Sequence, residues 1–278
     1  MRLVIGCCCL MLLTLVTVGC DKAVDSDDGQ LQGQLTLTGS STVAPLIGEI
    51  AKRFEAKHPS VRIDVQTGGS SRGIADTHSG LADIGMSSRG LKDSEQHGVR
   101  MHVVAQDGVA FVVHRDNPVS ELSNDQILAI YTGRATNWSQ VGGPNAPITV
   151  INRAEGRSEL ELVTKFFKIK PSDIKPTLVA GENQECVKLV AGNPDAIVYL
   201  SVGHAEYEAN AGTPLKLLPF DGIESSTAAV KAGDFPLGRP LVLITPNRPS
   251  ELTTAFIDYT LSAEVGDLIE GLFFVSPR

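Results

Sequence analysis

Three times in its first hundred residues the chain ends an apolar run in a cluster of glycine and hydroxyl residues. Leu35–Thr38 leads into Thr38-Gly39-Ser40-Ser41-Thr42-Val43-Ala44-Pro45, and Val61–Val65 into Thr67-Gly68-Gly69-Ser70-Ser71-Arg72-Gly73. Ala82–Met86 leads into Gly85-Met86-Ser87-Ser88-Arg89-Gly90. The first two clusters open directly into helical patterns, Val43 to Lys57 and Ser71 to Gly80. Such strand–turn–helix units build α/β layers. Glycine lets the backbone come close to a ligand, while free amides at a helix start and nearby hydroxyls supply neutral donors. Helix caps and tight turns favour the same residues. Three clusters within about fifty residues, with no Asp or Asn among the turn residues, point instead to a pocket for a small oxyanion.

The alternation continues. Val99–Ala105 and Val109–His114 read as two strands, and Asp116-Asn117-Pro118 as a break that marks a first hinge. Helical patterns at Asn124–Tyr131, Ser158–Lys168 and Asn183–Gly192 are separated by strand patterns at Ile148–Ile151, Thr177–Val179 and Ile197–Leu200. The apolar run Arg239–Thr245 predicts a buried strand, followed by a helix over Ser250–Leu261 and another from Ala263. No repeat of fixed period is visible.

The N-terminus reads as a targeting segment. Arg2 precedes an apolar stretch from Leu3 to Val18, and Gly19-Cys20 is followed at once by charged Asp21-Lys22. This arrangement resembles a bacterial lipoprotein signal, which implies a signal peptide over 1–19, cleavage before Cys20 and lipid attachment to Cys20. Residues 20–34 are polar and acidic enough for a flexible tether. Removing the signal leaves roughly 260 residues, enough for two lobes with their own cores. Of five cysteines, three leave with the signal and Cys20 would carry lipid, so Cys186 stands alone without an intrachain disulfide. The net charge of −8 argues against nucleic acid as a partner. It does not argue against a small anion, which local dipoles and hydrogen bonds hold. The six histidines show no metal-ligand spacing, so neither a metal nor a cofactor is expected.

Further segments carry a family resemblance: Ala82-Asp83-Ile84-Gly85-Met86-Ser87-Ser88-Arg89, Thr136-Asn137-Trp138, Val141-Gly142-Gly143-Pro144, Ala191-Gly192-Asn193-Pro194 and Phe235-Pro236-Leu237-Gly238-Arg239-Pro240-Leu241. In their order and spacing, from about Leu35 to the C-terminus, the chain resembles the phosphate-binding proteins of phosphate ABC transporters. These belong to the type II periplasmic-binding-protein class. The resemblance implies an α/β, two-lobed periplasmic-binding-protein fold with a hinge of two crossing strands. Lobe 1 would comprise 35–112 plus 236–278, and lobe 2 would comprise 113–235. It also implies an extracytoplasmic protein, periplasmic or lipid-anchored at the membrane, whose partners are inorganic phosphate and the permease subunits of an ABC transporter.

Carried over by position, the anion's contacts fall on Ser41, Thr42 and the amide of Val43 in the first loop, Ser70 in the second and Ser88 in the third. The far lobe would contribute Arg153, Arg157, Ser158 and Glu159, with Arg153 supplying a full positive charge in fork geometry. Two positions depart from the family pattern. Serine 88 stands where many relatives have an aspartate that accepts the phosphate proton. The loop Gly156-Arg157-Ser158-Glu159 replaces Gly-Ser-Gly-Thr. Glu159 is then either a substitute proton acceptor or only a first-turn acid beside a capping box of Ser158 and Glu161. Sulfate, molybdate or another tetrahedral oxyanion is the alternative ligand, and a phosphate-sensing lipoprotein the alternative role. Gly69-Ser70-Ser71-Arg72-Gly73 formally matches the nucleophile elbow of hydrolases, but no oxyanion motif accompanies it and only His204 lies in the second half.

Overall fold

Two long antiparallel strands run between two hydrophobic cores and organise the rest of the fold. The computed structural model describes residues 30–277; the expected signal peptide, the lipid-carrying Cys20 and most of the tether lie outside the described residues. Strand β1 (Gly33–Gly39) is followed by helix α1 (Ala44–Lys57), β2 (Val61–Thr67), α2 (Ser70–Ser79) and β3 (Ile84–Ser87). β1 pairs in parallel with β2 and β3. Pro45 sits in the first turn of α1, where its missing amide costs nothing. That helix buries Leu46, Ile47, Ile50 and Phe54 on one face.

β4 (Val99–His114) leads to α3 (Asn124–Tyr131), β5 (Thr149–Arg153), α4 (Ser158–Phe167), β6 (Leu178–Ala180) and α5 (Asn183–Ala191). β7 (Ala196–Ser201), α6 (Val202–Asn210), β8 (Leu215–Leu217) and α7 (Thr227–Ala232) follow. The chain returns along β9 (Gly238–Pro246) and finishes with α8 (Glu251–Thr260) and α9 (Gly266–Gly271). Strand order is β2-β1-β3-β9-β4-β7-β5-β6, with β8 on β4. This is a mixed α/β sheet.

β4 pairs antiparallel with β9 from Val99↔Pro246 to Gly108↔Gly238, shifting register between Val103 and Ala105. From Val109 to Val113 it pairs with β7 instead. One core gathers Leu35, Leu37, Ile47, Phe54, Leu243 and Phe256. The other gathers Phe111, Tyr131, Trp138, Leu160, Tyr199 and Phe220. The backbone therefore passes between cores at 105–109 and back at 237–241.

This corrects two expectations. Val99–Ala105 and Val109–His114 are one strand, because Gln106-Asp107-Gly108 stays in the ladder with β9. Asp116-Asn117-Pro118 is not the passage between cores but a turn within the second one. There Asn117 accepts from the Val119 amide and donates to the Pro194 carbonyl. Trp138 is a packing residue, with its indole N–H donated to the Asp195 carbonyl at 3.1 Å.

Candidate functional site

The ends of β1, β3 and α2 bring the three hydroxyl clusters to one place. At the end of β1, Gly39 has φ +136°, and a Cβ there would stand 2.1 Å from the Met86 carbonyl oxygen. Only glycine lets β1 pass β3 so closely. The chain then turns so that Ser40 Oγ accepts from the amides of Thr42 (3.2 Å) and Val43 (3.4 Å), which satisfies donors at the entry of α1. Ser40 Oγ itself donates to Ser88 Oγ at 2.9 Å. The Ser88 amide donates to Ser70 Oγ at 3.1 Å. Ser70 opens α2 directly after Gly69, whose φ of 97° and ψ of 157° belong to glycine's own region.

The second core meets these loops through the start of α4. Ser158 Oγ lies 2.6 Å from Ser88 Oγ, and Glu159 Oε1 accepts from Thr42 Oγ1 at 3.1 Å. Arg239, on β9, reaches into the same cluster. Its Nη1 donates to Ser158 Oγ and Glu159 Oε1, both at 2.9 Å, and to Ser88 Oγ at 3.3 Å. Its Nη2 donates to Thr42 Oγ1 at 3.2 Å and to Asp107 Oδ2 at 2.9 Å. Asn183 Nδ2, at the start of α5, also donates to Thr42 Oγ1 at 3.0 Å. Arg153, at the end of β5, has Nη2 3.8 Å from Glu159 Oε2 and donates to Asn183 Oδ1, the Glu182 carbonyl and Cys186 Sγ.

All these side chains are buried, so their charges act through a poorly hydrated medium. Burial alone would push the Glu159 carboxyl up, but Arg239 and then Arg153 pull it down to about 2. Burial is the largest influence on Arg239 and Arg153 and opposes their charge, but Glu159 together with Asp107 at Arg239 and with Cys186 at Arg153 leaves both raised. Burial raises the Cys186 thiol, with Arg153 partly opposing.

Outside the cluster the two sides are stitched at the rim. The Ser71 amide donates to the Gly156 carbonyl at 3.2 Å. Glu161 accepts from Ser71 Oγ at 3.0 Å and pairs with Arg89 (3.2 Å) and Lys92 (2.7 Å). A cavity of about 710 Å³ lies here, lined among others by Arg89, Lys92, Lys165, Ser158 and Arg239. It joins a basic surface to the buried cluster.

Residues 25–264 match the model of a PBP superfamily domain. The chain belongs to the PBP superfamily. Among its solved relatives is the phosphate-bound substrate-binding protein ascribed to a phosphate ABC transporter of Clostridium perfringens. That relative has TM-score 0.82 and 30% identity, covering 88% of this chain and 100% of that one. An ABC-type phosphate transport receptor from Vibrio cholerae gives 0.72 at 29% identity, covering 87% of this chain and 100% of that one. The phosphate-binding protein PstS of Bacillus subtilis is 27% identical over 246 residues, 87% of this chain and 80% of its own length. The type II periplasmic-binding-protein fold expected from sequence is thus the fold of this PBP chain, and its relatives are the phosphate-binding proteins it resembled.

The structure brings Thr42, Ser70, Ser88, Ser158 and Glu159 together. Ser41 is not among them: it is half-buried on the far side of the turn, beside Pro45 and Asn183, and Ser40 takes its place. The Val43 amide is engaged by Ser40. Arg153 stands at the cluster's edge, buried against Asn183 and Cys186 rather than paired with Glu155 or Glu161. Arg157 turns away to Glu182 at 2.9 Å. The capping box expected from Ser158 and Glu161 does not form. Arg157 is the N-cap and Ser158 the first helical residue, because both side chains are drawn across to the first core's loops. Arg239, Asp107 and Asn183 were not foreseen.

Proposed function

We propose that this chain captures inorganic phosphate between its two cores and delivers it to the permease subunits of an ABC transporter on the outer side of the cytoplasmic membrane. The observation that carries this is the convergence of Ser40, Thr42, Ser70, Ser88 and Ser158 with Arg239 where the cores meet. Phosphate is costly to bury unless nearly every oxygen finds a donor. Charge-assisted hydrogen bonds contribute roughly 1.5–3 kcal/mol each, so donors from both sides are needed to offset dehydration. In this reading the chain before 105–109 and after 237–241 moves as one lobe and the chain between them as the other, about β4 and β9. Arg153 adds positive charge at the edge of the cluster, and Cys20 carries a lipid anchor.

The role is binding rather than catalysis. Ser71, in the elbow-like motif, donates to Glu161, and among the described residues no histidine hydrogen-bonds to it. A second oxyanion is favoured by one feature: Ser88 offers a hydroxyl, which serves an unprotonated anion such as sulfate as well as phosphate. Calorimetric titration of the purified chain with phosphate, sulfate and molybdate tests both readings. Phosphate must titrate with one-to-one stoichiometry, and a preference for sulfate would transfer the assignment. Labelling with radioactive palmitate, compared with Cys20→Ser, tests the anchor.

A further inference from the structure

The donors of the cluster already hold an anion, and it belongs to the chain. Glu159 Oε1 accepts from Thr42 Oγ1 and Arg239 Nη1, and its Oε2 faces Arg153 at 3.8 Å. The Glu159 side chain is 3% exposed. Thr42 Oγ1 is saturated: it donates to Glu159 and accepts from Asn183 and Arg239. The other edge of Arg239 is taken by Asp107, whose second oxygen accepts the Gly203 amide. Two guanidiniums and two carboxylates therefore meet with their charges cancelled, and each carboxylate has a distinct task. Asp107 holds Arg239 from behind, within the two crossing strands. Glu159 caps it from the front, among the hydroxyls.

Resting on the phosphate-capture reading, we propose that Glu159 is the resident anion of the site, so that phosphate binds by exchanging with the Glu159 carboxylate and Glu159 sets the affinity. An ionised phosphate and an ionised carboxylate cannot share the same donors at contact distance in a poorly hydrated site, because like charges there repel strongly. The depressed pKa of Glu159 keeps it charged at neutral pH. Phosphate must therefore displace it rather than join it. A tethered competitor also acts at high effective concentration, which weakens phosphate and sulfate alike. This is the reverse of a proton acceptor. Such a group would strengthen phosphate and repel sulfate, and it would need its charge balanced away from the ligand's own donors. Here those donors balance it.

The test is titration of inorganic phosphate and sulfate into the full chain and its Glu159→Gln and Glu159→Asp variants. Gln keeps the shape and removes the charge. Asp keeps the charge and withdraws it by one methylene, and it serves where Gln does not fold. As the resident anion, Glu159 predicts phosphate binding at least tenfold tighter in Glu159→Gln, and tighter than wild type in Glu159→Asp, with sulfate gaining in parallel. Added phosphate should also raise the melting temperature of Glu159→Gln more than that of wild type. Wild type binding phosphate as tightly as both variants, or more tightly, overturns the inference and leaves phosphate capture standing. Failure of wild type and both folded variants to bind phosphate removes both.

Discussion

Asp107 and Arg239 are register partners on the two strands that join the cores, and the guanidinium donates both Nε (3.1 Å) and Nη2 (2.9 Å) to the same carboxylate oxygen. The pair is almost wholly buried, at 0% and 2% side-chain exposure. It fastens β4 to β9 where the backbone passes from one core to the other. Removing one member of a buried ion pair leaves the other's charge uncompensated, at a cost of about 3–5 kcal/mol. Arg239→Met, which keeps most of the volume, should therefore lose stability of that order in urea unfolding at neutral pH. It strands Asp107 and Glu159 together. A loss below about 1 kcal/mol, the range of an exposed pair, would mean that Arg239 is not the cluster's anchor.

Why Arg239 and Asp107 escaped the sequence is physical. The hydroxyl loops are local: apolar run, glycine, Ser and Thr, then a helix follow one another within a few residues, and the neighbours decide the conformation. Asp107 and Arg239 are 132 residues apart, and only the β4–β9 register makes them neighbours. A signal was present nonetheless. Arg239 heads the apolar run Pro240–Ile244, and a charged residue within a buried strand requires a partner. The polar triplet Gln106-Asp107-Gly108 reads in sequence as a gap between two strands, because the apolar pattern fails there. In the fold it is the crossing point, where Asp107 turns to Arg239. Ser158 and Glu161 were misplaced for the opposite reason. Their local pattern does favour a capping box, but Ser88, Ser71, Arg89 and Lys92 across the junction offer better partners.

Gly69 offers a test of how tightly the two sides must meet. A Cβ there would lie 2.8 Å from the Gly156 carbonyl oxygen and 3.1 Å from the Arg157 side chain, on a backbone with φ +97°. The conformation costs a non-glycine residue about 1–3 kcal/mol, and the Gly156 contact adds steric pressure. Gly69→Ala should lower stability by about that amount and weaken phosphate binding. Its radius of gyration in small-angle scattering should exceed that of wild type. Unchanged scattering and affinity would show that the Ser71–Gly156 seam plays no part in closure.

Arg153 and Arg157 lie four residues apart but should behave differently. Arg153 is buried among Glu159, Asn183 and Cys186, and among the described residues its Nε has no hydrogen-bond partner. Arg157 pairs with half-exposed Glu182. Arg153→Ala should reduce phosphate affinity by tenfold or more, about 1.4 kcal/mol, whereas Arg157→Ala should stay within about twofold of wild type. Calorimetric titration of the two variants side by side decides it. The reverse order would place the anion's positive charge at the rim instead of the interior.

The acid limb of stability should report Glu159. Its folded pKa is about 2 against 4.5 unpaired, so between those values the unfolded chain binds a proton that the native one refuses. Stability from this group is thus fully present above about pH 4.5 and drains away as pH falls towards 2. Other groups also respond to acid. Burial depresses His102 and His204, and Arg89 holds Glu95 below its ordinary value. The contributions of His102 and Glu95 are shared by wild type and Glu159→Gln and cancel in their difference, and that of His204, on which Glu159 is the smallest of the acting influences, nearly cancels. Urea midpoints for both proteins from pH 6 down to pH 3 should therefore show the wild-type advantage holding until about 4.5 and then shrinking steadily. An advantage that stays constant down to pH 3 would mean that the buried carboxylate is not held ionised by Arg239 and Arg153, and the charge balance inferred for the cluster would fail with it.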